Sequence, residues 1–146
     1  MNTRIERITE NDFKELVNLF QEFALFEKLP HKMTNSVEQM TKEKEFIDGF
    51  TVKDENHTIM GYVTFFIAYY TWSGKSLYMD DLYVRPQYRG LGLGTTLIKR
   101  AMDFAKENEC NKMRWQVSEW NDPAIKFYQN LGAQIDDVEN NCDLTL

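Results

Sequence analysis

The spacing of apolar residues along the chain changes between the period of a strand and the period of a helix. Residues 3–8 alternate apolar and polar side chains, which predicts a short strand. The following apolar residues recur every three or four positions and predict a helix that ends before Pro30, because the residue before a proline disfavours helix. These residues are Phe13, Leu16, Val17, Phe20, Phe23 and Ala24.

A second helix and a hairpin are predicted next. The helix begins near Thr34 or Ser36, where Ser36 and Gln39 match a capping box, and stops before Gly49. Residues 50–53 and 58–70 predict two antiparallel strands. The second strand is apolar on both faces, so we expect it at the centre of a sheet.

The stretch 77–100 predicts a strand, a glycine-rich loop and a helix. The strand covers residues 77–84 and ends at Arg85-Pro86, and three alternate glycines follow at Gly90, Gly92 and Gly94. From residue 95 to residue 108 the apolar spacing is that of a helix facing a sheet. This stretch organises the rest of the chain.

The last third of the chain predicts a strand at 112–118, a helix and two short strands within 134–146. Asp122 is the expected N-cap of that helix, with Pro123 at its first position and Gly132 at its end. The order of elements predicts one domain, residues 1–146, with an α/β three-layer fold and a mixed sheet.

The composition narrows the classes of function. The net charge is −6, from 23 acidic and 17 basic residues, which disfavours nucleic acid as a partner and suits a small cationic one. The acidic balance is equally explained by solubility alone. Cys110 and Cys142 are isolated, so neither a disulfide framework nor a metal site is expected, and a reducing cytoplasm fits. The longest apolar stretch, residues 59–72, is too short to cross a membrane.

The glycine-rich loop suits anion binding. Glycines permit positive φ and close backbone approach, the first N–H groups of a helix lack intrahelical partners, and Arg89 adds a cation. A plain strand-to-helix turn explains the same glycines. A P-loop is excluded because no Gly-Lys-Ser/Thr is present, and the spacing GxGxG fits a dinucleotide fingerprint poorly.

The segment Arg89-Gly90-Leu91-Gly92-Leu93-Gly94 resembles the (Arg/Gln)-x-x-Gly-x-(Gly/Ala) signature of the GNAT superfamily of acetyl-CoA-dependent N-acetyltransferases. A second block, residues 120–128 with Leu131-Gly132-Ala133, is similar to the same family in the same order. Together with residues 78–83 it looks most like the diamine and polyamine (spermidine/spermine-type) branch. The resemblance covers most of the chain and weakens near the C-terminus.

The resemblance implies a mostly antiparallel central sheet, flanked by helices and splayed where acyl-CoA binds, with acetyl-CoA as cosubstrate and no metal. It implies that backbone groups of one strand hold the pantetheine arm, that the loop holds the pyrophosphate, and that a later segment lines the other side of the arm. The expected residues are Leu82, Tyr83 and Val84 for the strand, Arg89, Gly90, Leu91, Gly92, Leu93, Gly94 and Thr95 for the loop, and Asn121, Asp122, Pro123 and Ala124 for the later segment.

Two catalytic roles follow from the resemblance. Tyr128 is the expected general acid toward the leaving thiolate, since phenols with a pKa of ~10 keep their proton at neutral pH; packing against the sheet is the alternative. Asp80 takes the place of the family's glutamate base and is one methylene shorter, so its role is either base or electrostatic anchor. Because Asp80 and Asp81 are adjacent on a strand, we expect opposite orientations. A solvated or salt-bridged carboxylate is an equal alternative for either.

The acceptor pocket is expected to include Phe26, Glu27, Asp80 and Glu119. Phe26 stands where the family has a tyrosine, and the segment near residue 141 lacks the aromatic residue that relatives often carry. A small diamine or polyamine-like amine is therefore the expected acceptor. Acetylation of a protein N-terminus or lysine, and a CoA-binding sensor without turnover, are the alternatives. The resemblance also implies a homodimer.

Overall fold

The fold was obtained as a computed structural model, in which residues 2–146 are described. Four short 3₁₀ turns lie between the main elements, at Glu10–Asp12, Pro30–Lys32, Lys44–Phe46 and Pro86–Tyr88. The strands and helices are β1 (Arg4–Arg7), α1 (Phe13–Phe26), α2 (Val37–Lys42), β2 (Gly49–Lys53), β3 (Ile59–Tyr70), β4 (Gly74–Val84), α3 (Leu93–Glu107), β5 (Lys112–Arg114) and α4 (Asp122–Asn130).

The five strands form one sheet in the order β1-β2-β3-β4-β5. The first four strands are antiparallel to their neighbours, and β5 runs parallel to β4. A parallel neighbour requires a crossover, and α3 supplies it between β4 and β5. The prediction of a mixed, mostly antiparallel sheet with β3 at its centre is confirmed.

Helices cover the two faces of this sheet. On one face Leu16 and Leu19 of α1 are fully buried against Tyr62 and Tyr83. On the other face Phe104 of α3 lies 4.7 Å, between ring centroids, from Phe65. Residues 62 and 65 of β3 point to opposite faces, since an odd number of positions separates them. Burial of each such side chain contributes about 1.5–3 kcal/mol, so both helices are held by the sheet itself.

The chain divides into two compact units, residues up to Trp115 and residues from Gln116 onward. The sheet, α1, α2 and α3 belong to the first unit, and α4 belongs to the second. The single domain expected from the length stays a prediction.

The N-cap of α4 is Asn121, not Asp122 as predicted. The Asn121 side chain accepts a hydrogen bond from the Ala124 N–H at 3.3 Å. Asp122 is instead the first helical residue, where a negative charge is favoured by the helix dipole. Gly132 follows the helix with φ of 94°, as the sequence predicts for a left-handed residue after the last turn.

Three other predicted elements are shorter than expected or are not formed. The helix after Ser36 ends at Lys42, and the strand from Lys112 ends at Arg114. The described residues 134–146 contain no strand. This last segment is rich in Asp and Asn, which have low strand propensity, and Asp136 instead accepts the Val138 N–H in a local turn. Among the described helices none is both long and apolar enough to span a bilayer.

Candidate active site

The glycine-rich loop connects the end of β4 to α3. Gly90 and Gly92 have φ of 82° and 78°, a conformation that residues with a Cβ rarely adopt. A Cβ at either position would meet no atom within 4 Å, so the backbone angle, and not lack of space, requires glycine there. The outer side of the loop is correspondingly open.

The first turn of α3 offers unpaired N–H groups toward this open side. Gly92 is the N-cap and has no side chain to bond them, and the first turn holds no acidic residue. The first helical hydrogen bond joins the Thr96 N–H to the Gly92 carbonyl at 3.0 Å, which leaves the N–H groups of Leu93, Gly94 and Thr95 without an intrahelical acceptor. Such a turn binds anions through its N–H groups and its dipole.

Arg89 brings a positive charge to the same loop in a fixed position. Its Nε–H donates to the Val84 carbonyl at 2.9 Å. Its guanidinium lies 5.0 Å from the ring centroid of Phe26 and 5.6 Å from that of Tyr83. The exposed Arg89 is thus oriented by β4 and by two aromatic rings, which agrees with its expected place beside an anion.

The edge of β4 that faces β5 is open along its second half. The pairs between the two strands run from Ser76 with Lys112 to Tyr78 with Arg114, whereas β4 continues to Val84. Residues 79–84 therefore have no strand partner on that side within the described chain. This is the splay that the family resemblance implies, and it leaves backbone groups for an extended ligand.

Only two of the three predicted backbone contacts point to this open edge. The Arg85 N–H donates to the Met60 carbonyl of β3, and a Cβ at Gly61 of β3 would lie 2.7 Å from the Tyr83 carbonyl oxygen. Backbone groups alternate sides along a strand, so Tyr83 faces β3, while Leu82 and Val84 face the opening. Tyr83 contributes through its side chain, whose hydroxyl donates to Glu22 at 3.3 Å.

A β-bulge separates Asp80 from the regular pairing of β4. Thr64 of β3 pairs with Asp81, and the next residue, Phe65, pairs with Met79, so Asp80 has no partner on β3. A bulge interrupts the alternation of side chains. The alternation on which the expected opposite orientations of the two carboxylates rest is therefore interrupted here, and those orientations stay a prediction.

Asp81 lies on the face of the sheet that α1 covers. Asp81 shares this face with its partner Thr64 and with Tyr62, two residues earlier on β3. The charge of Asp80 raises the pKa of Asp81 and also that of Tyr62 and of Tyr78. Two adjacent carboxylates thus form one interacting pair, which we call the Asp80/Asp81 pair.

Asp81 has the larger pKa shift of the two residues in this pair. Burial, the charge of Asp80 and the charge of Glu27 raise its pKa to about 7, although a hydrogen bond from Tyr62 lowers it. The Tyr62 hydroxyl donates to Asp81 Oδ2 at 2.9 Å, and the Asp81 N–H donates to Thr64 Oγ1 at 3.1 Å. The Asp80 side chain stays open to solvent, and partial desolvation raises its pKa too. Such a pair can take up a proton near neutral pH.

An apolar pocket of about 270 Å³ lies beside the end of β4. Its walls include Phe26, which the sequence predicts as an acceptor contact, and the Tyr83 ring. Glu22 forms its polar side and is paired with Arg85 Nη2 at 2.9 Å. Glu27 follows α1 directly, and its charge raises the pKa of Asp81.

The second unit carries the remaining predicted residues on and before α4. Tyr128 is 8% exposed, and its ring centroid lies 5.4 Å from that of Phe127. Asn121, Asp122, Pro123 and Ala124 form the N-cap and first turn of α4. Glu119 precedes them and is exposed. The first unit thus brings together the loop, the β4 edge, Phe26, Glu27 and Asp80, and the second unit brings together the other predicted residues.

Three participants were not predicted as site residues: Asp81, Tyr62 and Glu22. The properties of Asp81 depend on burial and on Tyr62 of β3, for which the residues around Asp81 carry no local sequence signal. Tyr62 does carry a signal, because a tyrosine in a central apolar strand requires a buried partner for its hydroxyl.

An open strand edge followed by unpaired N–H groups at a helix N-terminus suits an α/β enzyme with an extended anionic cosubstrate. The Acetyltransferase (GNAT) family profile matches residues 13–133. The chain therefore belongs to the GNAT acetyltransferase family and is an acetyl-CoA-dependent N-acetyltransferase.

Individual relatives agree with this family. The chain is 33% identical over 144 residues to a thialysine N-epsilon-acetyltransferase of Mus musculus, covering 91% of this chain and 85% of the relative. It is 28% identical to a spermidine/spermine N(1)-acetyltransferase-like protein 1 of Homo sapiens over 89% of this chain and 20% of that protein. The fold is similar, with a TM-score of 0.81 and 24% identity, to an aminoglycoside acetyltransferase from an uncultured soil metagenomic sample, covering 98% of this chain and 97% of that chain.

Proposed function

We propose that the protein acetylates the terminal primary amine of a small cationic acceptor of the thialysine, diamine or polyamine type. The observation that carries this proposal is the group of acidic residues, Asp80, Asp81 and Glu27, which interact beside the open end of β4. An acidic group attracts an ammonium ion and can also accept its proton. The relatives named for thialysine and for spermidine/spermine support the same class of acceptor.

Acetyl-CoA fits the geometry of the loop and the strand edge. The N–H groups at the start of α3 and the Arg89 guanidinium would bind the pyrophosphate. The backbone of Leu82 and Val84 would pair with the pantetheine arm, and by family resemblance residues 121–124 would line its other side. When bound, acetyl-CoA supplies the thioester carbonyl that the amine attacks.

The Asp80/Asp81 pair would remove the proton of the ammonium. Alkylammonium groups have a pKa of about 10.4, so the amine needs an acceptor for its proton at neutral pH. Asp80 is open to solvent and would receive the proton directly or through water, as the resemblance implies for this position. Asp81 raises the proton affinity of the pair, and the two carboxyls then titrate as one unit.

Tyr128 would complete the transfer as general acid. The C–N bond forms as the amine attacks, the C–S bond breaks, and the Tyr128 hydroxyl gives its proton to the leaving thiolate. The second proton leaves the amine nitrogen after the attack and returns to the Tyr128 phenolate through solvent. The buried position of this tyrosine and its place in the family motif support the role.

A homodimer and a cytoplasmic location also stay proposals. The end of the β3–β4 hairpin exposes several large apolar side chains that an interface would cover, namely Phe66, Ile67 and Trp72. Sedimentation equilibrium at micromolar protein would detect the dimer, and a monomer at all concentrations would contradict it.

The proposal is tested by thiol release from acetyl-CoA with putrescine, spermidine, thialysine, lysine and a basic peptide. We expect turnover on at least one small amine and little on the peptide. Tyr128→Phe should lower kcat at least tenfold, whereas Tyr69→Phe, the same change at an exposed position, should not. Acetylation of the peptide alone would favour a protein acetyltransferase. CoA binding without any turnover would favour a sensor.

A further inference from the structure

Tyr62 is a buried titratable group that the proposed chemistry does not use. Its side chain is fully buried in the central strand, and its ring packs edge-on against Phe20 at 5.1 Å. Packing alone would be served by phenylalanine, which needs no partner for a hydroxyl. The hydroxyl instead donates to Asp81 Oδ2 at 2.9 Å. A neutral phenol thus occupies one oxygen of the partly buried carboxyl.

The surroundings of Asp81 otherwise favour its protonated form. Asp80 on the same strand and Glu27 after α1 are both acidic, and burial acts in the same direction. Tyr62 itself faces the charges of Asp80 and Asp81 and the Tyr83 ring, and its own pKa lies well above the ordinary value. It therefore remains a hydrogen-bond donor throughout the working pH range.

We infer that Tyr62 is a positioning residue for the reaction, which holds Asp81 ionised and fixes its orientation, so that the Asp80/Asp81 pair stays deprotonated and Asp80 is left to receive the proton of the acceptor. The inference rests on the proposed function, because it assigns the Asp80/Asp81 pair as the proton acceptor. The geometry supports it at two points. Tyr62 fixes the side chain of Asp81 while Thr64 fixes its backbone N–H, so β3 orients this residue next to the bulge.

The test compares kcat/KM of the wild type with that of Tyr62→Phe between pH 5.5 and 9.5. Taking the ratio of the two enzymes at each pH removes the titration of the amine itself. Loss of a hydrogen bond to a carboxylate should move the acid limb up by about one pH unit, so the ratio should be about ten at low pH and approach one above pH 9. Tyr69→Phe on the same strand is the matched control and should give a ratio near one throughout.

A merely structural role for Tyr62 predicts a different result. A ratio that is the same at every pH would overturn the inference, because lost packing lowers activity without a shift of the profile. In an Asp81→Asn background, Tyr62→Phe should add no pH-dependent loss, and an undiminished pH-dependent loss there would also overturn it.

A second measurement does not depend on turnover. Carbon-13 NMR of labelled aspartate side chains, assigned with Asp81→Asn, reads the titration of Asp81 in the protein without substrates. The wild-type midpoint is expected near 7 and the Tyr62→Phe midpoint about one pH unit higher. An unchanged midpoint would refute the role of Tyr62. If no amine is acetylated, the proposed function fails, and this titration still decides the Tyr62–Asp81 relationship.

Discussion

The Nε–H of Arg89 donates to the backbone carbonyl of Val84 at 2.9 Å, so a hydrogen bond holds the Arg89 guanidinium against the last residue of β4. One side chain thereby couples the two surfaces proposed for acetyl-CoA, the strand edge and the helix N-terminus.

Replacing Arg89 should weaken acetyl-CoA binding more than it lowers kcat. We expect Arg89→Ala to raise KM for acetyl-CoA about tenfold or more, because a charge-assisted contact and the tie to Val84 are both lost. Arg89→Lys should recover little, since lysine has no planar fork to bond the carbonyl and an anion together. Calorimetric titration with CoA checks the affinity directly, and an unchanged dissociation constant for both variants would contradict the assignment.

Gly92→Ala should destabilise the protein although there is room for the methyl group. The φ of 78° costs a residue with a Cβ about 1–2 kcal/mol, and the N-cap of α3 lies at this position. Gly94→Ala is the matched control for stability, because Gly94 is inside the helix and its Cβ would lie 3.9 Å from Val84. Urea unfolding of the two variants measures the difference, and equal stabilities would show that the loop relaxes freely.

Asp81→Asn should stabilise the protein at alkaline pH. The pKa of Asp81 is about 7 in the fold, above its ordinary value of about 3.9, so the folded state binds the extra proton and stability falls as pH rises from 4 to 7. Removing the charge should therefore raise the free energy of unfolding by up to about 4 kcal/mol at pH 8 and by nearly nothing at pH 4.

Urea unfolding at pH 4 and pH 8 measures this gain. Asp103→Asn, at an exposed position of α3, is the control and should change stability little at either pH. A gain of the same size at both pH values would mean that the charge of Asp81 carries no folding cost.

Asn121→Ala should cost about 1 kcal/mol through loss of the cap of α4, and Asn121→Ser should restore most of it. Asp122→Ala should cost less, because Asp122 contributes only through the helix dipole. Thermal unfolding of the three variants ranks them. If Asp122→Ala lost more stability than Asn121→Ala, Asp122 would be the N-cap.

Much of this fold was predictable because its signals are local. The apolar spacing that predicts α1 and the run of apolar residues in β3 are read directly from neighbouring residues. Gly90 and Gly92 were predictable for the same reason, since a positive φ selects glycine whatever the rest of the chain does.

The chemistry of Asp81 was less predictable because it depends on a distant strand. Only the pairing of Thr64 with Asp81 and of Phe65 with Met79 places the bulge, and the pKa of Asp81 depends on burial and on the hydrogen bond from Tyr62 of β3. The strands expected in residues 134–146 do not form, for another reason. Short alternations among Asp and Asn residues satisfy a period of two without the β propensity to form a strand.

The surplus residue at Asp80 also sets how the gene can change length. Met79 and Leu77 are buried and pair with Phe65 and Ile67, while Asp81 pairs with Thr64, so Asp80 is a residue of β4 that the sheet pairing does not require. Deletion of the Asp80 codon would leave Asp81 opposite Thr64 and Met79 opposite Phe65, which is regular antiparallel pairing, so Leu77 and Met79 would keep their buried face. We therefore expect loss of this residue to spare the fold and to remove the carboxylate pair.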